Sequence, residues 1–245
     1  MRILSITKHL REQNWVAVFL DFFIVVVGVY MGLQVQEWSS KRAQNDEAAA
    51  YHARLAIEYE ALVDTLKGHS EFYDGFLRNG INLTSMLLAE QVIDQDDATQ
   101  LMKNSLFSLT PPKNPAVLDE MISAGKMSLI ADPVQRTQLL NARYQLQLIE
   151  SFYEFLNLGI EEIIPLIQGC TVINGVQPVA DNAPIPEDLI SIRFDFTCLQ
   201  SEPEMPVLMT EWLQRLEGIH SVYIQTIEEF ETVTKQLQDL ARENR

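Results

Sequence analysis

The sequence predicts an all-α protein: one N-terminal transmembrane helix that continues into an antiparallel helical bundle, with a small irregular, β-like insertion near residues 168–206. Three observations predict it. An apolar run of 18 residues, Val16 to Leu33, stands near the amino terminus with a single charge, Asp21. Apolar residues then recur every seven along three long segments, the periodicity of helices that bury one face. Glycines and prolines crowd between Gly169 and Pro206, where a long helix cannot form.

The apolar run comes first. Trp15 and Trp38 bracket it, and at the α-helical rise they stand about 34 Å apart, close to a hydrocarbon core plus its interfaces. The run is longer than the h-region of a secretory signal, and neither Ala48–Ala50 nor Gln34–Trp38 makes a cleavage site close behind it. It reads as an uncleaved signal anchor over residues 15–36, with a short cytoplasmic tail at 1–14 and an extracytoplasmic domain at 37–245. The tail carries Arg2, Lys8 and Arg11 against Glu12, whereas residues 36–245 hold 15 basic and 32 acidic groups, a net of −17. Lys41, Arg42 and Arg54 follow the span closely, so the flanking basic residues are nearly balanced. The short tail and the acidic domain favour an N-in orientation, which in a bacterium places the domain in the periplasm.

At 100° per residue, Val25, Gly28 and Gly32 fall within about 40° of Asp21. The acid and both glycines therefore share one stripe. Gly28-x-x-x-Gly32 is the small-xxx-small spacing that lets two membrane helices approach closely. An intramembrane carboxyl is costly unless it faces a partner or stays near the interface. The stripe Asp21, Val25, Gly28, Gly32 is the expected pairing face, and Trp15 and Trp38 are the expected interface anchors.

Beyond Trp38 a long amphipathic helix follows, with Tyr59, Leu66, Tyr73, Gly80 and Leu87 in one heptad series and Leu55, Leu62, His69, Phe76 and Leu83 in the other. Gly68, Gly75 and Gly80 are its candidate kinks. Asp94–Asp97 supplies caps for a short helix over Ala98 to Phe107. Thr110-Pro-Pro-Lys-Asn-Pro115 breaks the chain, and Ala116 to Ala124 forms a helix stopped by Gly125. Asp132-Pro133 opens the next helix, which Pro165 should kink or end. Its apolar stripe, widened by Leu148, Phe152 and Phe155, marks it as the most buried helix. Ile190, Ile192, Phe194 and Phe196 alternate with polar residues like a strand. The last helix runs from about Val207 to Ala241.

The segment Asp21 to Gln34 followed by Trp38-Ser-Ser-Lys-Arg42 resembles a family of uncharacterised bacterial single-pass membrane proteins. These open with an acid, an apolar run with glycine, a Leu-Gln pair and an asparagine–tryptophan junction. A second shared block is similar over Leu118–Ile130, Asp132 and Tyr144, and the two blocks cover roughly a quarter of the chain. Gln36-Glu37 departs from the family's asparagines, as does the 168–206 region. The family is a domain of unknown function, so the resemblance implies a membrane anchor and a helical domain, and no activity.

Composition and motifs limit the chemistry. A hydrophobic share of 47% with 21% charged residues is that of a folded chain. A net charge of −16 argues against a nucleic-acid binder, which needs a basic face. Two cysteines exclude a four-cysteine zinc site. Glu217-x-x-His220 has di-metal spacing but no second such pair. Asp94–Asp97 lacks the glycine and distal glutamate of a calcium loop, Asn82-Leu-Thr84 is a sequon on a predicted helix, and GxSxG, P-loop, GxGxxG, HExxH and CxxC motifs are absent from the sequence. No catalytic, metal or cofactor site is expected. His69 reads as a hydrogen-bonded core histidine or a buried pH-sensitive group. Cys170 and Cys198 are either a disulfide closing a 28-residue loop or two buried thiols. The expected function is a non-catalytic scaffold or regulator whose partners are the bilayer and either a second copy or another membrane protein. The alternatives are a ligand-sensing bundle that signals through a partner, and an accessory subunit using Asp21 in a proton-coupled complex.

Overall fold

The computed structural model describes residues 15–89, 94–176 and 190–243, without the side chains of residues 15–17 and 243. It is helical except for one small sheet, and it divides into two units, Met1–Ala50 and Tyr51–Arg245. Helix α1 (Trp15–Leu88) supplies the described part of the first unit and continues into the second.

In the first unit α1 is one helix long and apolar enough to cross a membrane, and none of its most apolar window is buried. The side chains from Val18 to Val26 all stand exposed. A core helix of a water-soluble protein would hide such a surface.

The second unit is built from α1 together with α2 (Gln95–Lys103), α3 (Ala116–Ser123), α4 (Pro133–Gly169), β1 (Thr171–Val176), β2 (Ile190–Phe194), α5 (Phe196–Ser201) and α6 (Met205–Glu243). Cross-helix pairs set the directions. Tyr59 stacks on Phe230, Tyr73 meets Tyr223, and Gly80 abuts Trp212, so α6 runs antiparallel to α1. Gln145 bonds Glu229, Phe152 lies over Gly218, and Arg215 lies against Gly159, so α4 and α6 are antiparallel as well.

The segment between α1 and α4 runs back along the bundle. Leu109 meets Tyr73, Val117 meets Glu58, and Glu120 meets Tyr51 and Arg54. The result is an up-down-up-down bundle whose second leg is broken into α2, an extended Pro-rich stretch and α3.

Each helix end has a local cause. Asp94 accepts from Asp96 and Asp97 N–H, and Asp132 accepts from Val134 N–H ahead of Pro133 at the first turn. Pro115 offers α3 no side-chain cap; instead Glu58 reaches from α1 to accept Val117 N–H at 2.9 Å. Gly125 adopts φ +68° after α3, a conformation that a Cβ would strain.

Four sequence expectations are corrected. First, α2 stops at Lys103 rather than Phe107, because Asn104 caps it and Ser105 Oγ donates to the Leu101 carbonyl at 2.6 Å. Second, Pro165 does not end α4, which runs on to Gly169; one turn from the C-terminal end the proline removes a single helical donor, that of the carbonyl of Glu161, an exposed residue. Third, strand β2 ends at Phe194, and Asp195 accepts Cys198 N–H to start α5, so Phe196 is helical. The helix α1 is continuous through Gly68, Gly75 and Gly80. Fourth, α6 rather than α4 is the most enclosed helix. Twelve of its residues are buried, Trp212, Tyr223 and Phe230 among them, against nine of α4's.

Candidate functional site

Four places concentrate chemistry or surface. The first is the proposed membrane face. Asp21, Val25, Gly28 and Gly32 are all exposed on α1, and a Cβ built on either glycine meets no atom within 4 Å. The backbone is open there, as close helix–helix approach requires. Trp38 is exposed, with the Arg42 guanidinium 5.7 Å from its ring, and Lys41 bonds Glu37 at 2.7 Å. Trp15 opens the helix, and its side chain lies outside the described residues.

The second is a polar clasp between α1 and α3. Tyr51 Oη donates to Glu120 Oε1 at 2.7 Å, and Arg54 donates to both oxygens at 3.3 and 2.6 Å. Arg54 and then Tyr51 hold the Glu120 carboxyl down at about 2. The Lys126 ammonium and the Arg54 guanidinium each lie about 5.5 Å from the Tyr51 ring. Tyr51 is buried while the Arg54 and Glu120 side chains are about half exposed, and the clasp joins two helices rather than facing a cavity. Sequence reasoning missed it because its partners are 66 and 69 positions apart.

The third is a seam of histidine and tyrosine in the core. His69 Nδ1 hydrogen-bonds Tyr223 Oη at 3.0 Å, so His69 is the hydrogen-bonded histidine expected. Tyr73 Oη accepts Leu109 N–H at 3.2 Å and donates to the Leu109 carbonyl at 3.4 Å. Burial pushes the Tyr73 hydroxyl up to about 12 and the Tyr59 and Tyr223 hydroxyls higher still. Two turns before Tyr59 on α1, His52 is buried with neither ring nitrogen hydrogen-bonded. Burial depresses the pKa of both His52 and His69.

The fourth is the end cap. Cys170, the C-cap of α4, is joined by a disulfide to Cys198 in α5, with Cα atoms 5.6 Å apart. Glu202 lies beside the two sulfurs. Sulfurs bonded to each other are not thiolates and do not bind a metal as such. β1 and β2 pair antiparallel with an irregularity at Asn174, and Phe194 N–H bonds Thr99 of α2. Phe196 N–H also bonds Gln95 of α2, and Gln200 donates to the Met86 carbonyl of α1, so the cap is tied to several legs of the bundle.

Glu217 is exposed and His220 half-buried on α6, and no metal-holding group among the described residues includes them. Asp94 is spent on its helix cap. The class of molecule so defined is a helical bundle with an uncovered apolar helix near its N-terminus. No known family model, curated protein or solved structure matches the chain.

Proposed function

We propose that this is a single-pass membrane protein, N-terminus in the cytoplasm and bundle in the periplasm of a bacterium. Its work is interaction rather than catalysis, as a scaffold or regulator of a membrane assembly. The observation that carries the reading is the contrast between the two units. The bundle buries its apolar residues around α6, while the apolar stretch of α1 has every described side chain from Val18 to Val26 exposed. That surface needs lipid or another helix. The Asp21, Val25, Gly28, Gly32 face is where a second copy or a partner helix packs.

Association of the full-length protein in native membranes tests this, by cross-linking and by identification of what is captured. Gly28→Leu inserts bulk into the open face and should lower association several-fold. Asp21→Asn should lower it less. Unchanged association in both variants removes the pairing face from the proposal.

A second reading has one observation in its favour. Pro111, Pro112, Leu146 and Tyr153 wall an open groove between the extended stretch and α4, which suits a small-ligand sensor. A saturable thermal shift with a metabolite, abolished by Tyr153→Ala, would favour it over the scaffold.

A further inference from the structure

We infer that the outer face of α4 is a docking surface for a basic amphipathic helix. The inference rests on the interaction reading above and adds to it the surface and the chemistry of the partner.

The observation is a second apolar stripe on α4. Its core stripe, Leu139, Leu146, Ile149, Leu156 and Ile163, is fully or almost fully buried. On the opposite side, Leu140, Tyr144, Phe155 and Leu158 are 46%, 61%, 48% and 54% exposed. With the half-buried Leu148 these residues fall within about 80° of one another at 100° per residue. They line about 27 Å of helix at the α-helical rise, five turns. One exposed leucine needs no explanation, but an aligned row of four large side chains does. The spacing i, i+4, i+8, i+15, i+18 is the one a partner helix reads when it lies along a ridge.

The charges beside the row select the partner. Glu150, Glu154 and Glu161 stand exposed along one flank, and none is among the acids in the salt bridges Arg143–Asp119 and Arg215–Glu162. Arg215, the cation at the distal end, lies 4.5 Å from the Phe155 ring and is neutralised by Glu162 at 3.1 Å. Lys113 lines one groove with Glu150 and Glu154 and Arg143 is paired with Asp119, so the flank is acidic by excess, on a chain of net charge −16. An apolar ridge with lysine or arginine on its borders complements it; an anionic bilayer or an acidic helix is repelled.

The test uses the full chain in nanodiscs of zwitterionic lipid, with protein-free discs as baseline. Three fluorescent peptides of about 18 residues, long enough to follow the row, are titrated: a Leu/Lys amphipathic helix, its Leu/Glu counterpart, and a scrambled Leu/Lys peptide without an apolar face. The expected result is saturable binding of the first alone. Tyr144→Ser with Leu158→Ser should weaken it about tenfold. Glu150→Lys with Glu154→Lys should weaken it similarly and admit the Leu/Glu peptide. All four positions are exposed, so circular dichroism should show the fold unchanged.

Equal binding of the scrambled peptide, or unchanged binding in both double variants, overturns the inference. Concentration-dependent association of the protein alone, lost in Tyr144→Ser with Leu158→Ser, also overturns it by giving the face to a second copy. Association through the membrane helix is read separately with Gly28→Leu. The α4 proposal can therefore fail while the scaffold reading stands, and the reverse.

Discussion

Two glycines of α1 show how one residue's effect depends on what faces it. A Cβ at Gly80 would lie 2.7 Å from Trp212 Cζ3 and 2.8 Å from Leu213 Cδ2. The Trp212 indole is fully buried and has no room to retreat. Gly80→Ala should therefore destabilise the bundle by about 1–3 kcal/mol through overpacking, less the gain of about 1 kcal/mol in helix propensity. At Gly75 the same Cβ meets nothing within 4 Å, and Gly75→Ala should stabilise by about 0.5–1 kcal/mol. Urea midpoints of the two variants should move in opposite directions; a shift in the same direction would show that the Trp212 contact does not decide.

Buried His52 and half-buried His69 set a pH dependence whose direction is fixed by their lowered pKa values. The unfolded chain takes up protons near the ordinary histidine pKa of about 6.5, before the folded chain does. Stability is therefore full above that pH and falls as pH drops below it toward the folded values. Glu120 acts in a lower window, between its ordinary range and about 2. The thermal midpoint should fall between pH 7.5 and 5.5, and His52→Gln should flatten that fall. A midpoint independent of pH over this range in the wild type would mean that both imidazoles protonate freely in the fold.

Among the elements, the end cap has the least core of its own. Val172, Ile173, Val176 and Ile190 of the hairpin are exposed. The Cys170–Cys198 bond, 28 residues apart, contributes about 3–4 kcal/mol by constraining the unfolded chain. Cys198→Ser should open the hairpin and α5 to proteolysis and amide exchange while α1, α4 and α6 keep their protection. Loss of protection throughout the bundle would instead make the cap a keystone.

The elements also show what a sequence can carry. The helices were legible because the 3.6-residue period and the Asp94, Asp132 and Gly125 signals are local. The stripe Asp21, Val25, Gly28, Gly32, exposed on α1, was legible for the same reason. The course of the return leg was not, because it depends on Tyr73, Glu58 and Tyr51 bonding residues tens of positions away. The exposed row on α4 was visible as Leu148 and Phe155, but periodicity cannot tell an apolar face that meets a neighbour from one that meets water.

For the whole molecule, orientation is the property on which the rest of the proposed function turns, and the chain carries its own reporter of it. The basic residues flanking the span are nearly balanced, so the charge rule alone decides weakly. The cysteines decide more sharply, because a structural disulfide persists in an oxidising compartment and is kept reduced in the cytosol. With the bundle in the periplasm, alkylation of intact cells under denaturing acid quench should find neither Cys170 nor Cys198 free. A cysteine-free variant carrying one added cysteine near the C-terminus should then react with a membrane-impermeant maleimide from outside the inner membrane. Lys41→Glu with Arg42→Glu, which removes the basic residues on the far side of the span, should leave that result unchanged or strengthen it. Free thiols in cells, together with protection from the impermeant reagent, would put the acidic bundle in the cytosol. The partner of α4 would then be sought there, and the end cap would have to hold without its covalent bond.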